Sequence, residues 1–229
     1  MNIQELKDLQ PLVYQQFVTI LEQGRLAHAY LFSGDFASFE MALFLSQALF
    51  CQEKVGVHPC GKCRSCRLIE SNDFSDVTIV APQGNFIKTD TIRELVKNFS
   101  QSGFESSQQV FIIRDAEKMH VNAANSLLKV IEEPQSTIHI FLLTNQEEAV
   151  LPTIKSRTQI ISFPQNLPYL ERFLEEEGLL KTQASLIARL VSSQEEAKRL
   201  ATNKSFIDLL DQAKKFTELL LTDSNRVYL

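Results

Sequence analysis

No apolar run in this sequence approaches the length of a membrane span, and its polar opening, MNIQELKDLQ, is unlike a signal peptide. An excess of positive charge is missing too. A formal net charge of -5 offers no overall attraction to nucleic acid, so contact with DNA must come from a local patch or from partners. Neither an internal repeat nor a low-complexity tract interrupts the 229 residues. Cysteine is absent except between Cys51 and Cys66, where all four occur. These absences lead to the expectation of a cytoplasmic protein, in which clustered cysteines favour a metal over disulfides. Hydrophobic and charged contents of 44% and 22% are those of an ordinary globular chain, long enough for one large domain or for a main domain plus a small one.

The chain is organised around Tyr30 to Cys51, YLFSGDFASFEMALFLSQALFC. It reads as a short buried strand, a loop opening at Gly34 and an apolar helix, the layout of a phosphate-binding P-loop, G-x-x-x-x-G-K-[ST]. Aligned on Gly34, the second glycine falls on Phe39, the lysine on Glu40 and the Ser/Thr on Met41. Phe39 places a ring where backbone must wrap closely around phosphate. Glu40 puts a negative charge where a positive one would meet the β- and γ-phosphates, and Met41 offers magnesium no hydroxyl. Strand, glycine and helix also occur throughout α/β proteins, so this stretch alone leaves the ordinary alternative open.

The rest of the chain predicts alternating helices and strands. Helices are expected over Leu9–Gly24 (with Leu12, Phe17, Ile20 and Leu21 on one side), Phe36–Phe50, Thr91–Gln101 and Asn122–Glu133. A further helical turn or two is expected over Arg64–Glu70. Thr91 and Glu94 have the spacing of a capping box, and Pro134 is the stop for the fourth helix. Strands are expected over His28–Phe32, Asp76–Val80, Gln109–Ile113, Ile138–Leu143 and Gln159–Phe163. Such apolar strands alternating with helices predict an α/β fold, a parallel sheet covered on both faces in three layers. Beyond a linker at Pro164–Pro168 the pattern is helical: Tyr169–Glu177, Thr182–Val191, Ser193–Ala201 and a longer helix from Ser205 to Thr222. That last amphipathic segment has no partner in the sequence and reads as cut inside a third helical region.

Cys51, Cys60, Cys63 and Cys66 are spaced C-x8-C-x2-C-x2-C. Zinc takes tetrahedral ligands, and C-x-x-C turns supply them in pairs; four thiolates leave no position for water, so the expected role is structural. His58 is a possible substitute ligand, and an iron–sulfur cluster is the competing cofactor. Lys62, Arg64 and Arg67 are placed to offset the negative charge of a zinc tetrathiolate. A second element of a nucleotide site is an apolar strand ending in acidic residues that hold magnesium and polarise water. Here Val110–Ile113 is followed by Arg114 and Asp115, so a cation occupies the magnesium aspartate position. Taken alone, Arg114-Asp115 also fits a solvated strand end.

Several segments together resemble a known family: HAYLFSG (His28–Gly34), PCGKCRSC (Pro59–Cys66), NSLLKVIEEP (Asn125–Pro134), FLLTN (Phe141–Asn145) and LPTIKSR (Leu151–Arg157). They are similar to the bacterial DNA polymerase III clamp-loader subunits, most of all the delta' branch, densely over Leu9–Phe163 and in order beyond. The resemblance implies a RecA-like AAA+ domain over residues 1–165 with a zinc module at 51–66, a three-helix lid over 166–204 and the start of a helical collar over 205–229. Tau/gamma subunits of that family keep the GK[ST] and acidic residues, from which Phe39, Glu40, Met41 and Arg114 depart. The resemblance therefore implies no bound ATP, no catalysis by this chain alone, and structural zinc. The implied partners are tau/gamma and delta subunits in a ring, with the sliding clamp and primer-template DNA reached through the complex. The family's Ser-Arg-Cys motif reads Ser156-Arg157-Thr158, which implies that Arg157 serves as an arginine finger in a neighbour's ATP site. Lys155 is its nearby competitor. Two other classes stay open: an ATPase with an unorthodox pocket, and a zinc-module nucleic-acid binder.

Overall fold

A computed structural model describes residues 3–99, 108–133, 137–191 and 193–222. Five strands, β1 (Ala29–Ser33), β2 (Val77–Val80), β3 (Gln108–Ile113), β4 (Thr137–Thr144) and β5 (Gln159–Ser162), form one parallel sheet in the order β2-β3-β4-β1-β5. Parallel pairing needs a crossover between partners, and helices supply it. The continuous apolar runs are the central strands: β1, β3 and β4 are buried along most of their length. Strand β5 differs from expectation. It is the sheet edge and mostly exposed, with Ile160 42% accessible, and only Phe163 just beyond it enters the core. The cover on both faces that its apolar sequence suggested does not extend to it.

The two faces of β1 carry different cores, as alternation of side chains along a strand requires. Tyr30 and Phe32 face an aromatic cluster with Phe17, Phe141 and Phe163, ring centres 4.7 to 6.1 Å apart. Ala29 and Leu31 pack with Phe111, Ile113, Ile140 and Leu142 in an aliphatic core closed by two helices. These are α5 (Thr89–Phe99), through Ile92 and Leu95, and α6 (Val121–Glu132), through Ala123, Ala124, Leu127 and Ile131. Helix α5 begins two residues before the expected start, which puts Thr91 inside it rather than at a cap. Its expected end at Gln101, and the stop at Pro134, lie outside the described residues.

The N-terminal helix is also corrected. Instead of one helix from Leu9 there are two, α1 (Ile3–Leu9) and α2 (Pro11–Glu22), broken at Gln10. The residue before proline is pushed out of the helical region, and Pro11 starts the second helix where its missing N–H costs nothing. The buried side chains of α2 are Val13, Tyr14, Phe17 and Val18, while Leu12 is 84% exposed. Gln10 itself is buried and donates to the carbonyls of Phe36 (2.8 Å) and Pro164 (2.7 Å).

Helix α3 (Ser38–Phe50) follows the glycine loop, and α4 (Arg64–Glu70) follows the cysteine loop. A short helix α7 (Pro152–Lys155), not expected from the sequence, precedes β5. The chain divides into two compact units, residues 1–164 and 165–229. In the second, α8 (Leu167–Glu176), α9 (Lys181–Leu190) and α10 (Gln194–Ala201) bury Leu170, Leu174, Ala184, Ile187, Ala188 and Ala197. Helix α11 (Lys204–Thr222) is joined to α9 where Gln183 donates to Asp211 at 3.0 Å.

Gly34 is the tightest point of the first unit. Its φ is +111°, its N–H donates to Thr144 O at 2.8 Å, and a Cβ there would lie 2.3 Å from the carbonyl oxygen of Phe163. Backbone on both sides leaves no flexible atom to yield. Gly34→Ala is expected to cost about 2–4 kcal/mol and lower Tm by roughly 5–10 °C. Gly178→Ala, at positive φ but with nothing within 4 Å of the added Cβ, should cost only about 1–2 kcal/mol in the same melts.

Candidate functional site

The loop from Gly34 to Ala37 joins β1 to α3, with Ala37 in the left-handed region at φ +64° before the first helical residue, Ser38. Phe39, Glu40 and Met41 thus occupy the first turn of α3, where backbone N–H groups and the helix dipole would favour an anion. Their side chains do other things. Met41 is fully buried in the core. Glu40 is half-buried and lines a small cavity with Ile3 and Leu6 of α1 and Leu43, Phe44 and Gln47 of α3. Phe39 lies under a guanidinium: Arg114 Cζ sits 4.8 Å from the ring centre. Two sequence-predicted departures, one from each element of the expected nucleotide site, are therefore in direct contact.

Arg114 reaches this position from the end of β3, where its N–H donates to Val80 O at 2.8 Å. Asp115 turns away. It adopts φ +51°, opens the short 3-10 turn Ala116–Lys118, and pairs with Lys118 at 3.6 Å. Thr144 lies at the end of β4. It accepts the Gln146 N–H at 3.1 Å, and its hydroxyl also donates to the Glu117 carboxylate at 2.6 Å. No motif in the sequence marked Glu117 for this contact, 27 residues from its partner.

Arg157 lies in the turn between α7 and β5. Its Nε donates to the Glu132 carboxylate, and Nη1 donates to Thr153 O (3.1 Å) and Ser156 Oγ (3.2 Å). Among the described residues no hydrogen bond or ion pair links it to the Gly34 loop. Its competitor Lys155 is more enclosed and pairs with Glu148 at 3.8 Å. Glu132, the last residue of α6, was quoted within a motif but given no role by the sequence.

The four cysteines converge. Cys51 ends α3, Cys60 sits in the following loop, Cys63 caps α4 and Cys66 is buried within it. Their sulfurs all lie within 4.8 Å of one another, with Cys51 and Cys63 Sγ 3.9 Å apart. A tetrahedral site with zinc–sulfur bonds of about 2.3 Å requires sulfurs about 3.8 Å apart, so the residues fit the ion. Backbone N–H groups of Cys60 and Cys63 point to Cys51 Sγ (3.3 Å) and Cys60 Sγ (3.2 Å), as suits thiolates. The Lys62 N–H, more than any other group, draws the Cys60 thiol down to about 7. Burial pushes the Cys51 and Cys66 thiols up. His58 is committed elsewhere: its Nδ1 meets the Tyr14 hydroxyl at 3.0 Å, which ties the cysteine loop to α2. Lys62, Arg64 and Arg67 are exposed around the module.

A parallel sheet in this order, a glycine turn leading into α3 and a following group of helices define a RecA-like AAA+ domain. The family model described as "DNA polymerase III, delta subunit" matches residues 9–166, and the chain belongs to that family of clamp-loader proteins. It is 37% identical over 219 residues to DNA polymerase III subunit delta' of Bacillus subtilis, covering 94% of this chain and 66% of that one. It is also 33% identical over 175 residues to the gamma/tau subunit of Mycobacterium tuberculosis, covering 72% of this chain and 30% of that protein. Among solved structures, a gamma subunit-related protein of Thermotoga maritima shares the fold, with a TM-score of 0.50, 23% identity and coverage of 86% and 76%. The chain spans about two thirds of the length of its Bacillus relative. Among the described residues no helix is long and apolar enough to cross a membrane.

Burial raises the Glu40 carboxyl above its ordinary value, against smaller opposite pulls from its own N–H and from Arg114. The charged form is thus disfavoured by folding. The penalty is absent below the unfolded value of 4.5, grows as pH rises through it, and is complete above the folded value. Glu40→Gln is expected to raise Tm at pH 7 and to lose that advantage by about pH 4. Thermal melts across that range check it.

Proposed function

We propose that this chain is a non-hydrolysing subunit of the bacterial replicative clamp loader, with residues 166–204 as its lid and 205–229 opening its collar. The observation that carries the reading is the stack of Arg114 on Phe39 beside a half-buried Glu40. The phosphate loop keeps its frame, while the groups that would hold triphosphate and magnesium are replaced by groups that hold each other. A lysine–phosphate attraction of about 4 kcal/mol at 4 Å in a dielectric of 20 becomes, with glutamate, a repulsion of the same order. Arg114 opposes magnesium in the same way. The fully buried Met41 has no oxygen to offer the metal.

On this reading the chain is a rigid scaffold that adjoins a tau/gamma subunit in a ring with delta. It acts on the sliding clamp and primer-template DNA through the complex. Arg157, half-exposed and outside its own loop, serves as the finger in the neighbour's ATP site, where a guanidinium stabilises charge developing on the transferred phosphoryl group. Lys155 is less suited, being more enclosed and paired with Glu148. Cys51, Cys60, Cys63 and Cys66 hold structural zinc, which pins the loop between α3 and α4. Convergence of all four sulfurs at tetrahedral spacing supports that assignment.

Two measurements test the reading. The isolated chain should neither bind nor hydrolyse Mg·ATP, and measurable turnover would establish the ATPase alternative instead. In a reconstituted loader, Arg157→Ala should lower clamp-stimulated ATP turnover at least about tenfold. For the metal, purified chain should carry one zinc, lost in Cys63→Ser together with thermal stability. Metal analysis beside a melt reads both, and a wild-type melting curve without zinc would remove the structural role.

A further inference from the structure

We propose that Glu132 is the positioning residue for Arg157, an inference that rests on the finger reading above. An arginine offered to a neighbouring molecule has a long side chain with about 2 kcal/mol of rotamer entropy to lose, and an unguided one spends little time in the productive pose. Arg157 is not unguided. The single N–H of Nε goes to the Glu132 carboxylate, and both hydrogens of Nη1 have acceptors in Thr153 O and Ser156 Oγ. Two of the three nitrogens of the planar guanidinium are thereby anchored, Nε to the end of α6 and Nη1 to α7 and the turn that follows it. The remaining nitrogen, Nη2, makes no hydrogen bond among the described residues, so its two donors stay available to an incoming anionic oxygen.

The chain invests in this arrangement across 25 residues of sequence, between two side chains that are 39% and 46% exposed. As a stabilising device it is poor: exposed ion pairs contribute about 0–1 kcal/mol. Its result is orientation. Glu132 also balances the arginine's charge in the free subunit, so the finger waits in a paired state rather than being drawn to other anions. The acidic partner accepts from Nε alone, which leaves both hydrogens of Nη2 for a phosphoryl oxygen.

The experiment uses the reconstituted loader and compares Glu132→Ala, Glu132→Gln, Arg157→Ala and the Glu132→Ala/Arg157→Ala pair, with ATP turnover measured across ATP concentration. Glu132→Ala should lower kcat about tenfold with KM for ATP unchanged, as expected for lost orientation at the transition state. Glu132→Gln, which keeps an oxygen to accept from Nε, should recover most of that loss. The double variant should be no slower than Arg157→Ala alone, because the two residues act through one group. Melting temperatures should stay within about 2 °C of wild type. Wild-type or faster turnover in Glu132→Ala, beside a slow Arg157→Ala, overturns this inference and leaves the finger standing. A double variant slower than Arg157→Ala alone does the same. Wild-type turnover in Arg157→Ala overturns both.

Discussion

Strand β1 is gripped on both edges by parallel neighbours, β4 on one side and β5 on the other, and that grip places the glycine loop at its end. The register runs unbroken to the strand end, where Ser33 lies opposite Thr144 and Ser162. Two further bonds continue the ladder past it: Gly34 N–H to Thr144 O, and Phe163 N–H to Ser33 O at 2.7 Å. Gly34 then passes so close to the Phe163 carbonyl that only a glycine fits. From behind, the buried Gln10 amide donates to Phe36 O within the loop and to Pro164 O beyond β5. The loop geometry is thus set by backbone hydrogen bonds and packing that belong to the protein itself.

On the proposed reading, that is how a phosphate loop persists as architecture after its chemistry is exchanged. Removing the binding groups from such a site would ordinarily leave polar atoms and a void, each with an energetic cost. Here the replacements satisfy one another. A ring at the second glycine position gives Arg114 a face to lie on, and a cation–π contact at a partly exposed site contributes about 0.5–1 kcal/mol. Thr144 and Glu117 pair by a short hydrogen bond. Glu40 is the exception, held partly out of water without a full partner, and its raised carboxyl records that cost.

The sheet was legible in the sequence because its central strands are continuous apolar runs, QVFII and IHIFLL, which only a covered parallel sheet accommodates. The cysteine cluster was legible from spacing alone. What composition hides is the third dimension: QIISF is as apolar as its neighbours, yet lies at the edge, and nothing local to it reports that. Leu12 was assigned to a buried face because the break at Pro11 was read as part of one helix. Once α2 starts at Pro11, the buried stripe shifts to Val13, Tyr14, Phe17 and Val18. Glu117 and Glu132 were invisible for a different reason. Each acquires its role from a partner 25 or 27 residues away, a distance no periodicity reports.

The same grip on β1 bears on Arg157. Five residues separate that arginine from Phe163, and four of them are β5 itself, paired to β1 from Tyr30 to Ser33. At the other end Arg157 is moored to Glu132 on α6, which packs in the aliphatic core beneath β1. A movement of the Gly34 loop toward or away from phosphate would have to drag Phe163, and through β5 the turn that carries the arginine. In an ATP-hydrolysing subunit such a connection would make the finger respond to that subunit's own nucleotide. On the proposed reading, with Arg114 stacked on Phe39 and Met41 sealed in the core, the loop has no phosphate to follow, and the connection would transmit rigidity instead. On the reading proposed above, a subunit that presents one guanidinium to its neighbour gains from keeping the frame of a nucleotide site and losing the nucleotide.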